Sequence, residues 1–208
     1  MRIASVISMP MGVGLAVLSF PIVNVLYPNS HRAGPGLLSI MGIASFFVCI
    51  VLMENAILQA SGKERLPMIA LISGSILKII VNWIIIAQPS VNIYGAPIGT
   101  LFGYLCMAVL DYIFIRTALK QRPNLRKAFL KPMICSLLMG LFAGAIYAAA
   151  LRIPVLHGKA GMFFAMLLSI FAAIVIYGFA VIKTGSITYE DMKLIPGGEK
   201  IGRLLHMK

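Results

Sequence analysis

The sequence predicts an all-α integral membrane protein, and three observations support that prediction. Hydrophobic residues make up 60% of the 208-residue chain and charged residues only 12%, with a mean hydropathy of +0.97. That leaves too little polar surface to clothe a soluble domain. The apolar residues gather in six runs of roughly twenty, the length that crosses a bilayer as a helix. No run alternates apolar and polar with period two, so barrel strands are not expected.

The six predicted spans form one bundle over 1–182. The first, about 3–27, contains Pro10 and Pro21 and is softened by Gly12 and Gly14. A kink at Pro21 is expected there. The run is too long for a signal-peptide core and has no A-x-A-like end, so it reads as a retained span. The second is about 36–60, the third about 66–87, the fourth about 96–119, the fifth about 132–151 and the sixth about 160–182. "YPNSHRAGPG" and "QPSVNIYGAP" are rich in turn residues and separate the first from the second and the third from the fourth. The segment 183–208 differs in character. Thr188 and Asp191 have capping-box spacing, and Pro196, Gly197 and Gly198 interrupt the segment. Ile201, Leu204 and Leu205 among Lys200, Arg203 and Lys208 suit a cytoplasmic amphipathic tail lying on the membrane surface.

A net charge of +12 could suggest nucleic acid, but the basic residues stand between apolar runs and do not form a soluble face. Their distribution is topological. With the N-terminus inside, the inner segments hold Arg2, Lys63, Arg65, Arg116, Lys120, Arg122, Arg126, Lys127, Lys131, Lys183, Lys193, Lys200, Arg203 and Lys208. The outer loops hold Arg32, Arg152 and Lys159, and Lys78 alone lies mid-span. Both termini are therefore expected on the cytoplasmic side of a multi-pass plasma-membrane protein.

Catalytic and metal-binding motifs are not visible in the sequence, and no cofactor is implied. Cys49, Cys106 and Cys135 read as small apolar side chains within spans, and His31, His157 and His206 as loop or tail residues. The informative residues are the ionisable ones inside spans. A charge at the bilayer centre costs roughly 2.5 to 3.5 kcal/mol on insertion scales, and it marks a partner or a pathway. Lys78 in the third span, Asp111 in the fourth and Glu54 in the second are such residues. Gly74, Ser75, Lys78 and Asn82 share one helix face, away from Ile76, Ile80 and Trp83, so Lys78 is expected to point into the bundle. It serves either a substrate pathway or an ion pair, with Asp111 the first partner and Glu54 the second. Counted from the inner span ends, Lys78 and Asp111 differ in depth by roughly 6 Å. Gly95, Gly99 and Gly103 in the fourth span, and Gly140 and Gly144 in the fifth, have the small-residue spacing of close helix packing.

"ENAILQASGKERLPMIALISGSILKIIVNWIII", "NIYGAPIGTLFGY" and "ITYEDMKLIPGGEKI" occur in an order that resembles polysaccharide-export flippases. These belong to the multidrug/oligosaccharidyl-lipid/polysaccharide superfamily, and the last stretch is similar to the tail of its stage V sporulation protein B branch. The resemblance implies a MATE-like fold and transport of undecaprenyl-pyrophosphate-linked sugars, precursors of peptidoglycan, spore cortex or polysaccharide, across a bacterial plasma membrane. Such proteins have more than twice as many spans, and this chain matches their C-terminal six. The partners implied are a lipid-linked oligosaccharide, membrane lipids and the remaining N-terminal helices, with no nucleic acid. Met1 would then be a misassigned start, the junction of a split gene or a true truncation. Alternative readings are a non-transporting remnant or assembly subunit, and a membrane transferase acting on lipid-linked sugars. The transferase needs clustered carboxylates or histidines at one surface, whereas the loops and tail offer Glu64, Glu190, Asp191 and Glu199, none paired with histidine.

The charge asymmetry yields a topological expectation. A cysteine placed at His157 should react with an impermeant maleimide in intact cells. Reaction only after permeabilisation would reverse the assigned orientation.

Overall fold

The computed structural model describes residues 2–27, 33–88, 91–118, 125–150 and 159–184. Their regular structure is helical, with no strand: α1 (Arg2–Val17), α2 (Ser19–Leu26), α3 (Gly34–Ala60), α4 (Arg65–Ile86), a 3-10 turn (Asn92–Tyr94), α5 (Gly95–Ala118), α6 (Leu125–Ala150) and α7 (Lys159–Lys183). Five helices, α3 to α7, are long and apolar enough to cross a membrane, and α1 with α2 makes a sixth span if the bent pair crosses as one. The chain is thus an all-α, multi-pass membrane protein. The predicted tail from 185 onward, His31, His157, His206 and the 151–158 loop lie outside the described residues.

The predicted first span is interrupted at Leu18, three residues before Pro21, and the two helices meet there at 67°. Pro21 has no N–H and its ring crowds the carbonyl four residues back, so a continuous helix cannot pass this point. Restarting at Ser19 makes Pro21 the third residue of α2, where no N–H is required. The Ser19 hydroxyl donates to the Ala16 carbonyl at 3.0 Å and covers one acceptor exposed by the break.

The helices form two compact units, Met1–Gly14 with Asn124–Lys208, and Leu15–Pro123. In the first, Val6 of α1, Cys135 of α6 and Val181 of α7 form a core with Tyr177 and Ala180 packed against it. Pro10 sits inside α1 and cannot donate to the Val6 carbonyl. The Tyr177 hydroxyl of α7 donates to that carbonyl instead, at 2.6 Å. In lipid no water replaces a missing helix bond, so this side chain completes α1. Small residues are buried on both α6 and α7, as suits close helix packing: Ser136, Gly140 and Ala143 on one, Ala165, Ser169 and Ala173 on the other, with Gly144 partly buried. Lys131 donates to the Thr184 carbonyl at 3.2 Å, joining the start of α6 to the end of α7.

In the second unit, α3 and α4 form a hairpin. Gly62 takes a left-handed φ of 71°. The Gly62 and Lys63 amides donate to the Gln59 and Leu58 carbonyls, both at 2.9 Å. This paired pattern is a Schellman cap, which glycine accommodates without strain. The "LQASGK" stretch is therefore a helix stop. α3 runs parallel to α5: Gly36 lies against Tyr94 just before α5, and Val51 clusters with Met107 and Ala108.

The Tyr177–Val6 bond can be tested by a double-mutant cycle. Tyr177→Phe should destabilise the folded protein by about 1 kcal/mol. The cost should shrink in a Pro10→Ala background, because residue 10 can then donate to Val6 itself. Detergent unfolding curves report both; equal costs in the two backgrounds would refute the compensation.

Candidate functional site

The membrane-embedded polar residues of the second unit lie where α3, α4 and α5 pack together. α4 runs antiparallel to α5 along the predicted small polar face. A Cβ added to Gly74 would meet Met107 and, at 2.7 Å, the Gly103 carbonyl. Gly103 faces the Lys78 stem, whose Cβ would be 3.0 Å from an added methyl group. At Gly99 an added Cβ would overlap the Asn82 amide, with the Lys78 carbonyl 3.2 Å away. Gly95 closes the series against Ile86. The Lys78–Asn82 face and the G-x-x-x-G-x-x-x-G run are thus the two sides of one seam. The opposite face of α4 is open, with Trp83 80% and Ile79 64% exposed, as suits contact with lipid.

Seating a lysine stem over glycine has a physical purpose. The four methylenes of lysine are apolar and pack well, whereas the ammonium must find a polar environment. With no side chain at Gly99 or Gly103, Lys78 and Asn82 fit between two backbones that would otherwise be held apart. The Asn82 Oδ1 is buried and accepts no hydrogen bond.

Glu54 and Asp111 form a second feature. They are 2% and 1% exposed, and the charge of Asp111 acts on Glu54. Neither Asp111 oxygen has a hydrogen-bond partner, nor does Glu54 Oε2. The neighbouring Asn55 Oδ1 is unpartnered as well. These are all acceptors. Carboxyl groups this enclosed and short of donors call for a proton, a compensating cation or a hydrated cavity. Among the described residues, no group of three or more His, Cys, Asp or Glu side chains could hold a metal ion.

The predicted ion pair is not formed. Both Asp111 oxygens lack a partner, so Lys78 donates to neither, and it does not donate to Glu54 Oε2. The reason is register. Lys78 contacts Gly103, and Asp111 lies eight residues further along α5, about 12 Å at 1.5 Å per residue. Depth counted from span ends assumes flush ends, whereas the glycine contacts fix the actual offset. The structure therefore brings Glu54 together with Asp111, and Lys78 together with Asn82, and keeps the two pairs apart. Asn55 was missed by sequence reasoning. Its sign was available: an amide beside Glu54, more than a turn before the helix end.

Gly99→Ala should push α4 from α5 and cost about 1–3 kcal/mol. Adding Asn82→Ala should recover most of the loss, because the colliding amide is then gone. Unfolding in detergent measures both, and unchanged stability in Gly99→Ala would mean that the seam is loose.

No family model matches the chain, and no solved structure does. Two curated proteins are similar to it. An uncharacterized membrane protein of Bacillus subtilis, YabM, is 24% identical over 199 residues, 94% of this chain and 36% of the relative. The uncharacterized membrane protein MJ1068 of Methanocaldococcus jannaschii is 25% identical over 139 residues, 66% of this chain and 26% of the relative. The chain thus spans about a third of one relative's length and a quarter of the other's. It is a multi-pass membrane protein related to these two.

Proposed function

We propose that this chain is the C-terminal six-span part of an exporter carrying undecaprenyl-pyrophosphate-linked sugars across the bacterial plasma membrane, with both termini cytoplasmic. One observation carries the reading. Lys78 stands mid-span, its stem packed on Gly103, with no carboxylate of its own unit paired to it. A cation kept in the membrane without an internal counter-charge suits recognition of an anion that comes and goes, and the diphosphate of a lipid-linked sugar is such an anion. Asn82 adds a polar amide one turn along the same face. Glu54 and Asp111 supply the complementary element, an acidic pair reserved for a cation on the ion pathway. The chain's share of its relatives' length agrees with a part that works together with further helices. No step in this reading is enzymatic.

The assay is genetic and biochemical. Lys78→Met, introduced at the chromosomal locus, should leave the protein folded and in the membrane yet cause lipid-linked sugar to accumulate on the cytoplasmic side. Lys78→Arg should retain part of the export. Normal export by a well-folded Lys78→Met protein would overturn the role of Lys78. Normal lipid-linked sugar distribution in a strain lacking the whole gene would overturn the exporter itself.

A further inference from the structure

We propose that the cleft between the α3–α4 turn and the C-terminal turn of α5 binds the headgroup of an anionic phospholipid. The cleft has a volume of about 780 Å³ and is lined by Lys63, Glu64, Arg65, Leu66, Phe114 and Thr117. Its position follows from the topology. α3 and α5 run parallel, so the end of α3, the start of α4 and the end of α5 come to the same end of the unit. That is where the apolar spans stop and headgroups begin.

The lining sorts by chemistry as a phospholipid does. Lys63 and Arg65 are exposed cations, one on each side of Glu64. Glu64 also lines the adjoining groove with Asn55 and Gln59. Two cations and one anion leave a single net positive charge, which matches a phosphodiester bearing one negative charge. Leu66 and Phe114 are partly buried and give the cleft an apolar wall. The exposed Ile69 of α4 and Ile113 of α5, a turn or less further into the spans, offer apolar surface to an acyl chain. A free phosphate ion would have no use for it. The turn is also preorganised. The Schellman cap at Gly62 fixes the backbone that carries Lys63, so little order is lost when a headgroup binds. Arg116 at the same end is engaged over the Tyr112 ring, 5.3 Å from its centroid, and lies outside the lining. Positive-inside bias alone would explain basic residues here but not their placement around an apolar-walled cleft. The proposal does not depend on the export reading.

Native mass spectrometry of the full-length chain, purified in detergent with equal phosphatidylglycerol and phosphatidylcholine, tests this. Wild-type protein should retain phosphatidylglycerol preferentially. Lys63→Gln with Arg65→Gln should weaken that retention roughly thirtyfold, taking the charge contribution of two basic residues near a membrane surface. Lys183→Gln with Lys193→Gln removes the same charge elsewhere and should change little. Should the cleft pair lose its helical circular dichroism, Arg65→Gln alone serves, with about a fivefold loss expected. Equal loss in both pairs would refute a defined site in favour of diffuse surface charge. Displacement of the lipid by millimolar inorganic phosphate would assign the cleft to free phosphate, and no preference in the wild type would also overturn the proposal.

Discussion

Contact between α4 and α5 along Gly74, Gly95, Gly99 and Gly103 sets the geometry of the second unit. Between helices in lipid there is no hydrophobic drive to associate, because acyl chains are as apolar as leucine. Close packing and buried polar contacts must supply the attraction, and the four glycines make the packing close. From that spacing follow the seating of the Lys78 stem, the burial of the Asn82 amide and the offset that parts Lys78 from Asp111. A methyl group at Gly99 would change all three together.

The two polar pairs differ in kind. The Lys78 stem and the Asn82 amide are both packed at the glycine seam. Glu54 and Asp111 are almost wholly enclosed, and both Asp111 oxygens and Glu54 Oε2 are without donors. One pair holds a lysine and the other two carboxyl groups, about 12 Å apart along α5. Direct neutralisation within the unit would have made both inert. Their separation leaves a cation and an acidic pair each needing something from outside the unit, which is the electrostatic basis of the export reading.

Much of this was legible in the sequence. Span positions follow from apolar run length, and the inward face of α4 from the spacing of Gly74, Lys78 and Asn82. α6 begins earlier than its apolar run, because a helix can extend into the polar linker before Pro132. The α4–α5 register was not legible. It is decided by which side chain nests on which glycine, and span ends do not encode that. The break at Leu18 was displaced from the expected kink at Pro21, since proline disrupts the turn that precedes it. Ala165, Ser169 and Ala173 escaped notice because alanine and serine are common in spans, and only their burial shows that they form a packing stripe.

The Tyr177–Val6 bond joins residues 171 positions apart. Its consequence concerns synthesis. A ribosome delivers α1 to the membrane before α7, which follows every other described helix. Throughout that interval the Val6 carbonyl has no backbone donor, and α1 is held by an incomplete turn. The first unit therefore cannot close until α7 has been made, and a nascent chain stalled before Tyr177 leaves the Val6 carbonyl of α1 without a donor.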